Sequence, residues 1–247
     1  ASQLRVMRFG LGLATNLGKL SQAHSILKGV KYLTDCWVTA AHGDENLKSV
    51  DLRRGGKRWS VSCDYLACGF HLVPNLELAE LLGCKIERGV VVVDEFQQTS
   101  VPHVCSAGES TGIGGLELSL VEGEIAGLAV ARRHEEARRL FSLRAKQLRF
   151  ANLLNRTFAL RNELKTMAES QTIVCRCEDV TFERLRENDS WRAAKLQTRC
   201  GMGPCQGRIC GSAVEFLFGW KAESVRPPIL PVRVDSLVTI RHKDPKE

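Results

Sequence analysis

The sequence predicts an α/β fold that gives way, near the C-terminal end, to a small helical domain bearing cysteines. Three observations carry this expectation. Short runs of β-branched and aromatic residues flank a Gly55-Gly56 pair within residues 30–68. A strand-like run through Cys105 leads into a glycine-rich loop and then into a helical segment. Five of the ten cysteines crowd into residues 175–210.

The elements follow in order. Tyr32 to Val38 reads as a strand. Leu47–Arg53 and Lys57–Cys63, on either side of Gly55-Gly56, read as a hairpin. Tyr65 to Gly69 is expected to be a short buried strand ending at a glycine. Pro74-Asn75 opens a helix through Leu82, which Gly83 can end in a left-handed conformation. The apolar run Val90–Val93 reads as a buried strand. Val101 to Glu109 is a strand entering a turn, Ser110 to Gly115 a glycine loop, and Leu116 to about Arg133 a helix. Strand, glycine loop and helix together can present backbone N–H groups and a positive helix end to a bound anion or carbonyl. Residues 135–168 read as helical, with Leu143, Phe150, Leu154 and Phe158 on one packing stripe. Past Trp220, Pro227-Pro228 and Pro231 predict an extended tail.

With 247 residues the chain can form one large domain or two small ones. Its 44% hydrophobic and 26% charged residues are ordinary for a globular protein, and no apolar run approaches the roughly 20 residues of a membrane span. The net charge of +7 is dispersed. The densest basic stretch, Arg132 to Lys165, also holds Glu135, Glu136 and Glu163, and reads as a solvated helix face. No nucleic-acid motif is present, so nucleic acid is not an expected partner. The chain begins at Ala1 with no secretory signal, and is expected to start partway through a longer protein.

The ten cysteines divide into two groups. Cys36, Cys63, Cys68, Cys84 and Cys105 are scattered and are expected to be small buried core residues. The other group is Cys175-Arg176-Cys177 and the run from Cys200 to Cys210, Cys-Gly-Met-Gly-Pro-Cys-Gln-Gly-Arg-Ile-Cys. Without a secretory signal, metal ligation is a stronger reading for these than disulfides. A [2Fe–2S] centre takes four thiolates, and small residues between Gly201 and Gly207 let backbone N–H groups approach its sulfurs. A helix is expected from near Cys205 through Phe218. Zinc would accept four thiolates as well. Spacing leaves five cysteines for four places, because four residues separate Cys200 from Cys205 and four separate Cys205 from Cys210.

Cys175-Arg176-Cys177-Glu178-Asp179-Val180-Thr181, taken with Gly201 to Cys210, resembles the bacterioferritin-associated-ferredoxin-like (BFD-like) [2Fe–2S] domain. The version it resembles stands at the C-terminus of an opine oxidase subunit, of the hydrogen cyanide synthase flavoprotein subunit, and of related dehydrogenase subunits. By that resemblance the ligands are Cys175, Cys177, Cys205 and Cys210, with Cys200 in reserve. Val93 to Pro102, leading into Ala107-Gly108-Glu109, resembles the segment of pyridine-nucleotide-disulfide-oxidoreductase-type flavoproteins that closes over FAD. The resemblance implies that Gly108, Glu109, Gly112, Ile113, Gly114 and Gly115 line the flavin, Glu109 accepting a hydrogen bond from its ribityl or ribose chain. Cys63 to Asn75 resembles the junction leaving the second dinucleotide-type domain, and His71 within it reads as a surface or junction histidine.

The fold this implies is a partial FAD/NAD(P)-binding two-dinucleotide-binding-domain fold followed by the BFD-like domain. Residues 1–95 would be a remnant of the NAD(P)-type domain and 96–134 the C-terminal part of the FAD-binding domain. Residues 135–170 would be a helical connector, 171–225 the [2Fe–2S] domain and 226–247 an extended tail. No G-x-G-x-x-G follows a strand, so the chain is expected to lack the main FAD cradle. The implied function is electron relay, through FAD and a [2Fe–2S] cluster, in a heteromeric amino acid, opine or imino acid dehydrogenase. Substrate chemistry would occur on a D-amino-acid-oxidase-like flavoprotein partner. The resemblance also leaves a place for a small ferredoxin-like partner protein, and for a peripheral link to the respiratory chain from the cytoplasmic, inner face of the membrane. No catalytic residue is assigned to this chain. The alternative is a non-catalytic iron–sulfur transfer or docking module whose flavin site is lost.

Overall fold

The computed structural model describes residues 3–13, 17–221, 225–230 and 232–239. In chain order these form helices α1 (Gln3–Leu13) and α2 (Leu17–Leu27), strands β1 (Cys36–Gly43), β2 (Leu47–Arg54) and β3 (Lys57–Ser62), helix α3 (Glu77–Leu81), and strands β4 (Ile86–Glu87) and β5 (Val90–Val91). Helices α4 (Leu116–Val130), α5 (His134–Arg139) and α6 (Phe141–Thr157) follow, then strands β6 (Ile173–Cys175) and β7 (Val180–Thr181). Helices α7 (Phe182–Arg186), α8 (Trp191–Thr198), α9 (Cys210–Phe218) and α10 (Val234–Thr239) complete the set. The chain divides into two compact units, Ala1–Val73 with Ile113–Thr172, and Pro74–Gly112 with Ile173–Glu247. Each unit is assembled from two stretches of sequence.

In the first unit β1, β2 and β3 form an antiparallel meander. The β2–β3 hairpin closes at Arg54 and Lys57 over Gly55-Gly56, with Gly55 at φ 56°, as the paired glycines predict. Its register sets Val50 against Val61 and Leu52 against Trp59. The first strand begins at Cys36 rather than near Tyr32. Asp35 holds φ 56° in a turn there, and its carboxylate accepts from Arg161 at 2.6 Å. Arg161 also lies 4.2 Å from the ring centroid of Trp37 and donates to Glu163 at 2.7 Å.

Helix α4 buries Leu118, Val121, Ile125 and Ala129 at helical spacing. Its fully buried Glu122 is met by Arg144 of α6 at 3.4 Å. The stripe expected on α6 packs partly against α1, where Phe9 meets Phe158 edge-on at 5.6 Å and Phe150 at 6.5 Å. Ala151 and Thr157, not the stripe residues, are its buried members. Tyr65–Gly69 is a correction to the sequence reading. It is exposed coil, with Tyr65 92% accessible, because among the described residues no strand pairs with it. His71 is exposed and bonded to the carbonyl of Leu72 at 2.8 Å.

In the second unit β4 and β5 pair across Arg88-Gly89, both at positive φ. Asp94 Oδ1 accepts from the backbone N–H groups of Phe96 and Gln98 at 2.9 Å, fixing the turn that follows. Cys84 is buried here, whereas Cys36, Cys63 and Cys105 are half-buried and Cys68 is exposed. The expectation that all five scattered cysteines are core residues holds only for Cys84. The unit's core is Val180, Leu185, Trp191, Ala194 and Val214 with Cys175, Cys200 and Cys210. Phe182, Phe218 and Trp220 stack beside it at 5.3 and 4.6 Å. The tail expected to be extended carries the short helix α10; residues 231 and 240–247 of that expectation lie outside the described residues.

Candidate functional site

Five separate pieces of local structure carry the cysteines of residues 175–210 within the second unit. Strand β6 ends at Cys175, and the four-residue turn to β7 carries Cys177, so the two sulfurs leave a strand end and a turn rather than one strand face. Asp179 at φ 48° closes that turn. Glu178 within it is bonded by Arg199 Nε at 2.8 Å. Arg199 in turn ends α8 in the left-handed conformation, which sends Cys200 inward. Ser190 starts that helix by accepting from the N–H of Ala193 at 3.2 Å.

The loop from Gly201 to Ile209 wraps the Trp191 ring. A Cβ at Gly201 would lie 2.8 Å from that ring, and φ is +77° there. A Cβ at Gly203 would fall 2.4 Å from Cys177 Cβ and 3.5 Å from its sulfur. Gly201 and Gly203 are therefore packing requirements, a reason for small residues that differs from the N–H access expected from the sequence. Helix α9 begins at Cys210, later than the expected start near Cys205, because Cys205 to Ile209 are held in tight turns.

The resulting geometry has an inner and an outer part. Cys175, Cys200 and Cys210 are buried at 1%, 0% and 2% exposure, with their sulfurs all within 4.8 Å of one another. Cys200 and Cys210 Sγ are 3.9 Å apart. The exposed Cys177 and half-buried Cys205 place their sulfurs 3.7 Å apart. Among the described residues Cys175, Cys200 and Cys210 form the close triad, and Cys177 and Cys205 a separate close pair in the same unit.

These thiols are poised differently. The backbone N–H of Ile209, followed by those of Gly207 and Arg208 and the thiol of Cys177, holds Cys205 below the ordinary thiol range against a smaller opposing effect of burial. Cys177 receives the N–H of Cys205, but its contact with the Cys205 sulfur and the neighbouring charge leave it raised. The thiol of Cys200 and burial push Cys210 far up. Five crowded thiols cannot all ionise unless a cation replaces their protons. Two sulfurs sharing a tetrahedral metal at about 2.3 Å lie about 3.8 Å apart. The 3.7 and 3.9 Å pairs match that edge, so the donor set fits a thiolate-bound metal or cluster.

The glycine loop is shaped differently. Gly108–Thr111 is a 3-10 turn held by Thr111 Oγ1 donating to the Gly108 carbonyl at 2.8 Å. Gly112 and Gly115 hold φ 145° and 81°, and a Cβ on either would enter open space. A Cβ on Gly114 would overlap Leu118 at 2.2 Å. Gly115 opens α4 with no side-chain cap. Gly108, Glu109 and Gly112 belong to one unit, and Ile113, Gly114 and Gly115 to the other. In the latter, Asn155 donates to the Ile113 carbonyl at 2.8 Å.

Residues 5–134 match the pyridine nucleotide-disulphide oxidoreductase family, and the chain belongs to that family. Within it, the chain is 26% identical to an opine oxidase subunit of Rhizobium meliloti over 95% of its length and 52% of that protein's. It is 30% identical to hydrogen cyanide synthase subunit HcnB of Pseudomonas aeruginosa over 74% of its length and 46% of that protein's. The chain thus spans about half the length of the curated relatives it matches. Thioredoxin reductase of T. acidophilum overlaps 49% of this chain and 38% of its own, at 23% identity and a TM-score of 0.38. The resemblance to the opine oxidase and hydrogen cyanide synthase proteins therefore extends over most of the chain. Both of these relatives are named as subunits of larger assemblies. Among the described residues no helix is long and apolar enough to cross a membrane.

Proposed function

We propose that this chain is the electron-relay part of a heteromeric FAD- and [2Fe–2S]-dependent oxidoreductase acting on CH–NH or CH–NH2 donors, with substrate chemistry on a partner protein. The observation that carries the reading is the close triad of Cys175, Cys200 and Cys210 and, in the same unit, the Cys177–Cys205 pair, with sulfur pairs at 3.9 and 3.7 Å. Cys175, Cys177, Cys205 and Cys210 would hold the cluster, and the N–H groups of Gly207, Arg208 and Ile209 would hydrogen-bond the sulfur of Cys205. Bound there, a [2Fe–2S] centre supplies one-electron transfer, and FAD supplies the two-electron counterpart.

Membership of the family supports the flavin. Gly108, Glu109, Gly112, Ile113, Gly114 and Gly115 are the residues assigned to it, with Glu109 as an acceptor and the start of α4 as a source of positive potential. The name opine oxidase supports an opine as the donor, and the word subunit in both names supports a partner. An amino acid or imino acid donor and a D-amino-acid-oxidase-like flavoprotein partner are part of the proposal. The respiratory chain and a small ferredoxin-like protein are further candidates for receiving the electrons.

The test is iron, acid-labile sulfide, zinc and flavin analysis of the anaerobically purified chain, alone and with its partner. Iron and sulfide in equal amounts, together with flavin, are expected. Stoichiometric zinc without sulfide would overturn the relay. Iron and sulfide without flavin in either sample would reduce the chain to an iron–sulfur transfer or docking module.

A further inference from the structure

We propose that Cys200 is a working metal ligand in waiting, so that the inner metal position is served by any two of Cys175, Cys200 and Cys210. The inference rests on reading the cluster as a metal centre. Cys200 is not placed like an ordinary core cysteine. Cys84, the buried cysteine elsewhere in this unit, turns its sulfur to the Thr99 hydroxyl at 3.6 Å. Cys200 instead turns its sulfur to that of Cys210 at 3.9 Å, and Cys175 completes a triangle within 4.8 Å.

The 3.9 Å spacing is close to the one two ligands of a tetrahedral metal adopt, about 3.8 Å. The three cysteines come from the end of β6, the residue after the α8 cap and the start of α9, so no single backbone movement withdraws more than one of them. All three are buried, which keeps competing water from filling a vacated place. The outer pair differs. Cys177 and Cys205 have each other at 3.7 Å, and neither belongs to the close triad. Redundancy is therefore confined to the inner position. Sequence spacing allows Cys200 to stand in for Cys205 or for Cys210. The close triad sets it beside Cys210 and Cys175, and it is given no role in place of Cys205.

The experiment compares C210A, C175A, C205A and the double variant C200A/C210A with the wild-type chain, each reconstituted anaerobically with ferrous iron and sulfide. Bound iron and sulfide and the visible and EPR spectra of the dithionite-reduced protein are read, with circular dichroism as the folding control. C210A and C175A are expected to keep most of the wild-type iron and sulfide with shifted spectra. C205A and C200A/C210A are expected to fall at least about tenfold. C210A as empty as C200A/C210A, both folded, overturns the proposal, as does a C205A protein that stays loaded. If C210A does not fold, C210S, which conserves volume, replaces it in both comparisons. A wild-type chain that takes up no iron overturns the cluster reading instead. In that case the same variants are titrated with Co(II), whose thiolate charge-transfer band must survive C210A and vanish in C200A/C210A for Cys200 to keep its role.

Discussion

Gly203 backs directly onto Cys177, so closely that a methyl group on the glycine would stand 2.4 Å from the cysteine's own Cβ. The contact is between two main-chain-anchored atoms, so neither can swing aside. G203A is therefore expected to move Cys177 away from Cys205, and to lower metal affinity at least about tenfold. Iron and sulfide content after reconstitution checks this; a fully loaded G203A protein would show that the outer thiol tolerates displacement.

Thiol chemistry should separate the outer from the inner cysteines in metal-free protein. Cys205 is held low by backbone N–H groups, while Cys210 is buried and pushed up by Cys200. The reactive species is the thiolate, so Cys205 is predicted to alkylate with iodoacetamide at pH values below the ordinary thiol pKa of about 8.5, and Cys210 to stay unmodified there. Peptide mass spectrometry across a pH series reads both sites. Equal labelling of the two would contradict the environments described.

Trp191 fills the hollow between Gly201 and Gly207 in the cysteine-bearing core. W191A leaves a cavity that the flanking glycines cannot fill. It is expected to cost about 3–5 kcal/mol, and W191F less. Denaturant unfolding followed by circular dichroism gives both values. A W191A protein within about 1 kcal/mol of wild type, the scale of a surface change, would mean that the loop collapses onto the gap.

Arg161 stacks on Trp37 and reaches Glu163 and Asp35 with one guanidinium. Glu163, ahead of Asp35, holds its pKa above the usual range despite the opposing effect of partial burial. A lysine keeps the charge and loses the plane and the fork. R161K is predicted to destabilise by about 0.5–2 kcal/mol and to shift tryptophan emission. Identical emission and midpoint in R161K would show that charge alone suffices.

Much of this was legible in the sequence, for identifiable reasons. The hairpin at Gly55-Gly56 was readable because two glycines between alternating strands have few other uses. The gathering of cysteines was readable from their density and from the small residues between Gly201 and Gly207. Elsewhere long-range contacts decided the outcome. Tyr65–Gly69 has the composition of a strand, but among the described residues it has no neighbour to pair with. The start of β1 depends on Asp35 and Arg161, residues 126 positions apart. The place of Cys200 could not be read from spacing, because spacing treats its distance from Cys205 and Cys205's distance from Cys210 as equal. The left-handed Arg199 breaks that tie by aiming Cys200 at Cys210.

The division of the five sulfurs into a sheltered three and an accessible two has a directional consequence. Cys175, Cys200 and Cys210 make the dry side of the cysteine group, and Cys177 and Cys205 the side that water reaches. A group held by these thiols would meet solvent and the amide dipoles around Cys205 on that second side alone.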